Sequence, residues 1–504
     1  MWKATTLGEV AEIITGPFGS ALHKSDYKPS GTAVLMPQNI GNRTVDYQDI
    51  ARIGEEDTER LSRYRVTQDD IIYARRGDVE KHAFVTVNDT DMICGTGCMR
   101  IRVSSPEVMP KFASFYLNRP ETRQWVVQHA VGSNMPNLNS GIVSAIPLSY
   151  PPKDEQEAIV DLLDSLDVAI AANVQVNDNL QAMLQTLYGY WFLQFDFPDE
   201  NGRPYRSSGG RMVWNDQLKR EIPEGWGVAS LISNPLCEPL KPGVAPFSEK
   251  TYLATADVVG TTIKNGSRIR YETREGRANM EPVLNSVWFA KMKGSIKHLF
   301  LNEACASLIG ETILSTGFVG LKCEPVAFEY IASFIASEQF EPLKDLHAHG
   351  ATQQAVNNAD LENILLLVPD AETLRGFSQL ASSVLSRFNA STVENKRLQE
   401  LRDWLLPLLM NGQATVASSD KLSFCVACTS ICPADNARHE EQFDATLNLL
   451  TESPRIHLRG CVRTFSDGLT ERRHKVRWRI DSSDQNGDPL AKSDFAVLSR
   501  QIKQ

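Results

Sequence analysis

Residues 154–191 read DEQEAIVDLLDSLDVAIAANVQVNDNLQAMLQTLYGYW. About 35 residues pass without glycine or proline before Gly189. Ile159, Leu163, Leu166, Ile170, Asn173, Asn177, Leu180, Leu184, Leu187 and Trp191 follow one another in steps of four and three. That alternation returns each position to one stripe every two turns, so the stretch predicts a single long helix with a heptad seam. At about 1.5 Å per residue it would run roughly 50 to 55 Å, more than a compact domain needs. Asn173 and Asn177 stand in the seam where an apolar residue would be more stable. Buried, such an amide fixes register and partner; alternatively, the helix exposes this stretch.

The same sequence plan occurs twice. Gly132, Asn139, Pro151, Leu162, Asn177, Leu180 and Gln181 return as Gly350, Asn357, Pro369, Leu380, Asn395, Leu398 and Gln399, and 395 − 177 = 218 holds for every pair. Self-similarity over this length implies a duplicated unit of domain plus helix rather than a short solenoid repeat. The second helix is expected over 371–410, with Val384, Phe388 and Leu398 at seam positions. Its seam is poorer toward the carboxyl end, where Arg402 replaces Leu184 and Pro407 interrupts the last turns.

Outward from the helices, residues 1 to about 150 alternate short β-rich stretches (Val34–Met36, Asp70–Ala74, His82–Val87, Met99–Val103) with a helical stretch near Phe112–Leu117. Pro147, Pro151 and Pro152 should then stop regular structure. The expected fold is α+β: two mixed α/β recognition domains (1–152 and 226–370) alternating with two long helices (153–194 and 371–412) that pack as an antiparallel coiled coil. Residues 195–225 read as a polar, turn-rich linker and 413–504 as an atypical tail, partly disordered by composition.

Composition bounds the chemistry. The 504 residues carry 42% hydrophobic and 23% charged side chains, ordinary for a globular chain. No apolar signal region opens the chain, and the longest aliphatic run, Ile364–Val368, is far too short to span a bilayer, so a cytoplasmic protein with reduced thiols and no membrane contact is expected. A net charge of −10 argues against wholesale coating of nucleic acid but leaves room for local basic surfaces. Candidates are Arg75, Arg76 and Lys81 in one unit, and Lys291 and Lys293 in the other; Arg268 and Arg270 near Lys264 form a further basic group. Taken one at a time, each could be ordinary solvated charge.

No phosphate cradle or dinucleotide fingerprint is present, nor a motif to hold a flipped adenine. Asp370 followed by Glu394 and Lys396 has the residue order of a Mg²⁺ nuclease, but the latter two fall inside the long helix, whereas such sites lie on adjacent strands. Residue types suited to reading DNA remain. Asn and Gln can pair with adenine, and Arg and Lys with guanine, best from loops on a rigid scaffold. The amide-rich loops Gly132–Asn139 and Gly350–Asn357 occupy matching positions and supply Asn134, Asn137, Gln353 and Gln354. As structure, such amides cap the elements that follow; as function, they order a surface near nucleic acid.

Tyr73-Ala74-Arg75-Arg76-Gly77, the Gly132–Asn139 loop, Pro151–Gln156 leading into a helix, Phe195–Pro198 and Ile222–Trp226 together resemble the specificity subunit of bacterial type I restriction-modification enzymes over residues 1 to about 415. The resemblance implies two target recognition domains, each reading half of a bipartite site in double-stranded DNA. It also implies two helices that act as a spacer and dock two adenine methyltransferase subunits, with restriction-translocase subunits joining that core. The chain itself would be non-catalytic and bind no cofactor; S-adenosylmethionine, ATP and Mg²⁺ would belong to the partners. The chain departs from the family pattern at Glu372-Thr373-Leu374, where the first unit has Asp154-Glu155-Gln156, and in a tail of about 90 residues. In that tail Cys425, Cys428, Cys432, His439 and Cys461 lack compact spacing for a second ligand pair, and no metal is expected. A different reading of the same residues is a stand-alone DNA-binding or regulatory protein that joins no enzyme.

Overall fold

The structure, a computed structural model, describes residues 2–18, 21–89, 91–132, 136–264, 266–351 and 353–419, and three short tail segments, 423–428, 461–464 and 474–477. They fall into two units, Met1–Ser165 with Asp403–Gln504, and Leu166–Arg402. Asn134 and the tail side chains named as metal candidates lie outside the described residues.

Residues 2–165 of the first unit contain two four-stranded sheets. In one, Ala11–Thr15, Cys98–Val103, Ile71–Ala74 and His82–Phe84 lie side by side in that order, all antiparallel. In the other, Tyr27–Lys28, Ala51–Ile53, Thr32–Leu35 and Ile93–Cys94 follow one another, the last pair parallel. One sheet of the second unit has the same strand order as the first of these: Cys237–Pro239, Phe318–Cys323, Ser286–Ala290 and His298–Leu301. Its other sheet runs Ser267–Ile269, Lys250–Leu253, Thr312–Ser315 and Ala278–Met280, with Lys250–Leu253 parallel to Thr312–Ser315. The central strands carry continuous apolar runs, such as Ile71–Ala74 and Ser286–Ala290, because they are buried along their whole length.

Regular structure does not stop at Pro147. Pro147–Tyr150 pairs antiparallel with Lys3–Thr6, and Leu365–Val368 pairs likewise with Gly227–Ser230. Proline lacks the N–H for a ladder bond, yet as the first residue of a strand in a two-stranded ribbon it is tolerated. The true stop is Pro151-Pro152, after which the helix Lys153–Tyr188 begins. Gln156 anchors its first turn: fully buried, it donates to the Pro151 and Glu107 carbonyls at 2.9 and 2.8 Å and accepts from the Met109 N–H at 2.9 Å. A π-helical turn, Gly189–Leu193, ends the helix.

The second long helix runs Ala371–Met410 with Pro407 inside it, so the proline does not interrupt it. Leu405, Leu406, Leu409 and Met410 are buried around it, and packing of this kind outweighs the local cost of a proline near a helix end. Within the second unit four bonds link the two helices, and the partners of Asp167, Ile170 and Asn173 run in opposite order along the chain. The Arg402 guanidinium meets Asp167 at 3.0 Å, Asn395 donates to the Ile170 carbonyl at 3.3 Å, Ser391 donates to the Asn173 carbonyl at 3.4 Å, and Asn177 donates to the Thr392 hydroxyl at 3.2 Å. Ile159, Leu163, Leu166, Asn173, Asn177, Leu184, Val384, Phe388 and Leu398 are buried, and Ile170, Leu180 and Leu187 half-buried.

Residues 195–225 are folded, not a loose linker. Met212–Asn215 and Arg220–Pro223 form a hairpin, and Phe195 and Phe197 are buried against Trp226 with ring centres 5.7 and 5.1 Å away. The polar turn residues that dominate this stretch conceal two aromatic anchors, Phe195 and Phe197, that bury large apolar area. Around them the second unit's core collects Tyr188, Trp191, Phe192, Tyr330, Phe377 and Phe388.

One buried titratable group of the first unit makes stability depend on pH. His82 is 1% exposed, its Nε2 lies 3.1 Å from the Ser114 hydroxyl, and its ring stacks on Tyr73 at 5.5 Å. Burial, with Arg43 nearby, pushes the ring down to about 3. The unfolded chain takes up a proton near pH 6.5 and the folded chain does not, so stability is full above that value and falls as pH drops toward the folded pKa. Chemical unfolding at pH 7 and pH 5 should show this unit weakened by roughly 2 kcal/mol at pH 5 on this account alone. His82→Gln should remove that difference, and an equal pH dependence in the variant would show that other groups cause it.

Candidate nucleic-acid interface

In each unit a basic turn is stitched to an amide-rich loop. In the first, Ile71–Ala74 leads into the turn 75–81, where the Arg75 N–H donates to the Gly97 carbonyl at 2.8 Å. The Leu138 N–H then donates to the Arg75 carbonyl at 2.9 Å, and Arg75 Nε donates to the Leu138 carbonyl at 3.0 Å. Arg76 forms a strand-like bridge with Asn137, whose own N–H and carbonyl close on Val131 at 3.0 and 2.9 Å. Residues 75–76 and 137–138 thus lie side by side. Arg76 is exposed and, among the described residues, its guanidinium has no partner. Lys81 is held by Asp78 at 2.5 Å, and Arg75 is half-buried.

The second unit repeats the core of this stitch. The Lys291 N–H donates to the Gly317 carbonyl at 2.9 Å, the Val356 N–H to the Lys291 carbonyl at 3.0 Å, and the Lys293 N–H to the Gln354 carbonyl at 2.9 Å. Met292 bridges Ala355, which closes on His349. Lys293, Gln353 and Gln354 are exposed; Lys291 is half-buried, and burial lowers its pKa. The two turns differ in their support. Beneath the second, Lys344 is 0% exposed, donates to the Ala290 and Ser295 carbonyls at 3.2 Å each and pairs with Glu341 at 2.5 Å. Glu341 also accepts from His298 at 2.8 Å, and the Asp345 carboxylate accepts the Gly294 N–H at 3.0 Å. Sequence reasoning missed Lys344, because nothing in a lone lysine on a short helix distinguishes a buried staple from a solvated charge.

Some amides are structural. Asn139 accepts the Ile142 N–H at 2.9 Å and caps Ser140–Ser144, and Asn357 does the same for Asn358–Leu361 through the Asp360 N–H at 3.2 Å. Asp370 of the discounted nuclease order also caps: it accepts the Glu372 and Thr373 N–H groups at 2.9 Å and holds the Trp226 indole at 3.1 Å. Arg268 and Arg270, with Arg277, line a separate cleft of about 670 Å³ in the second unit, balanced there by Glu249, Asp257 and Glu275.

Among the described residues no group of three or more His, Cys, Asp or Glu could hold a metal ion, and no helix is long and apolar enough to cross a membrane. Cys94, Cys98, Cys237, Cys305 and Cys323 are free and buried.

Residues 1–182 match the family model of the type I restriction modification DNA specificity domain. Over those residues the chain is similar to the type I specificity domain. It is 21% identical to the type I restriction enzyme HindI specificity subunit of Haemophilus influenzae, over 82% of this chain and 99% of that relative. It is also 21% identical to the MjaIX specificity subunit of Methanocaldococcus jannaschii, over 82% of this chain and 94% of that one. Among solved structures, the S subunit of a type-I restriction-modification system from M. genitalium is 14% identical, covers 81% of this chain and 96% of its own, and superposes with a TM-score of 0.46. Among the described residues the site presents the exposed cations Arg76 and Lys293 and the exposed amides Gln353 and Gln354, groups able to hydrogen-bond base edges and phosphates.

Proposed function

We propose that this chain is the non-catalytic DNA-reading subunit of a type I restriction-modification complex, each unit reading one half of a bipartite site. The observation that carries the proposal is the duplicated stitch. Arg75-Arg76 against Asn137-Leu138 and Lys291-Met292 against Ala355-Val356 make the same backbone contacts in two units of different side-chain content. One scaffold with two sets of exposed donors suits two different half-sites. The opposed order of the bonds from Asp167 to Asn173 supports an antiparallel coiled coil that sets the spacing between half-sites. Two adenine methyltransferase subunits would dock on that helical pair, restriction-translocase subunits would join them, and S-adenosylmethionine, ATP and Mg²⁺ would be bound by those partners in the cytoplasm.

A domain exchange tests the proposal. Replacing residues 1–152 with the same region of a relative, followed by mapping of methylated adenines in the host genome, should change one half of the methylated sequence and leave the other half and the spacing intact. A changed pair of half-sites, or an unchanged pair, would refute two independent readers.

A further inference from the structure

Phe18 is 60% exposed, yet the backbone that leads into it is tied to its neighbours. Gly16 and Pro17 are buried, the Gly16 N–H donates to the Cys98 carbonyl at 2.9 Å, and the Thr96 hydroxyl donates to the Pro17 carbonyl at 3.0 Å. The Ala21 N–H donates to the Phe18 carbonyl at 2.8 Å. Gly16 lies so close to the neighbouring turn that a Cβ there would sit 2.2 Å from the Gly95 carbonyl oxygen, so only glycine lets the loop run where it does. A lone exposed apolar side chain is unremarkable on a protein surface. An aromatic ring on a loop built this tightly is different, because the fold spends its anchoring on holding the ring in water.

The ring's neighbour gives its chemistry. The Arg75 guanidinium lies 5.4 Å from the ring centre, and Arg75 is itself tied to Leu138 beside the Arg76–Asn137 bridge. A hydrophobic ring flanked by a cation, and joined through it to a free arginine and an amide loop, matches a nucleobase with its phosphate. Aromatic faces stack on bases, and apolar wedges enter base steps while arginines hold the backbone. In the second unit the loop between the corresponding strands carries Phe247, which is half-buried, edge-on to Tyr271 at 5.7 Å and covered by Lys250 at 5.8 Å. The exposed ring is thus a property of the first unit's loop.

We propose that Phe18 is an aromatic wedge that stacks on a base step of the half-site read by the first unit. This rests on the DNA-reading assignment above. The test uses the full chain in complex with its methyltransferase partners, and duplexes carrying its methylated sequence with 2-aminopurine placed in turn along that half-site. Phe18→Ala should leave thermal unfolding unchanged, weaken binding about tenfold with an unchanged salt slope, since no charge is removed, and abolish the fluorescence change at one position. Phe18→Trp should restore binding and that signal. Arg76→Ala is the comparator, expected to weaken binding by a similar factor. Wild-type binding and fluorescence in Phe18→Ala, with weakened binding in Arg76→Ala, would overturn the wedge and leave the DNA-reading face standing. Wild-type binding in both variants would overturn the face as well.

Discussion

Replacing Phe192 with alanine is expected to destabilise the second unit by about 3 to 5 kcal/mol, the range for removing a large aromatic side chain from a close-packed core. Phe192 is fully buried, with ring centres of Tyr330 at 4.5 Å, Phe377 at 4.9 Å, Tyr188 at 5.4 Å and Trp226 at 5.9 Å around it. Those partners come from the end of the first long helix, the start of the second, a short helix of the α/β domain and the strand after the hairpin. The cavity left behind cannot collapse without moving several elements at once, which places the cost toward the upper end. Trp214→Ala, 61% exposed on the hairpin, should change stability by less than about 0.5 kcal/mol. Denaturant unfolding of the two variants checks both values, and a loss below about 1 kcal/mol for Phe192→Ala would mean that this cluster is not the hub of the unit.

Lys344→Met should cost a comparable amount, about 3 to 5 kcal/mol, by a different route: it removes one partner of a buried ion pair and strands the other. Lys344 satisfies two turn carbonyls and the Glu341 carboxylate at once. Burial pushes the Glu341 carboxyl up, but hydrogen bonds from His298 and Lys344 more than offset this and hold it below the ordinary carboxylate range. Without the lysine the carboxylate keeps only His298, and Ala290 and Ser295 lose their donor. The Lys291–Lys297 turn should then loosen, weakening DNA binding at one half-site only. Adding Glu341→Gln to Lys344→Met should recover part of the stability, because the stranded charge is gone, yet should not restore the turn. Equal stability of the single and double variants would show that the pair does not act as a unit.

The long helices were legible in the sequence because a 3.6-residue period sustained over tens of residues has one physical solution, and the duplication was legible because identical offsets survive divergence. Local signals were weaker wherever the outcome depended on a distant partner. Pro147 reads as a breaker on its own and becomes a strand start only because Thr6 is there to pair with. Phe195 and Phe197 read as part of a polar connection until Trp226 covers them.

The candidate site shows the same division. Arg76 and Asn137 are 61 positions apart, as are Lys293 and Gln354, and composition marked each stretch as basic or amide-rich. Their side-by-side placement comes from backbone bonds such as Leu138 to Arg75 and Val356 to Lys291, which form between segments far apart in the chain and leave no local trace in residue type. Sequence alone therefore determined that there are two units, two long helices and two polar segments per unit. Tertiary structure alone decided which amides cap helices, that Lys344 is a buried staple and that Phe18 is held in the open, because burial is a property of what surrounds a side chain and not of the side chain itself.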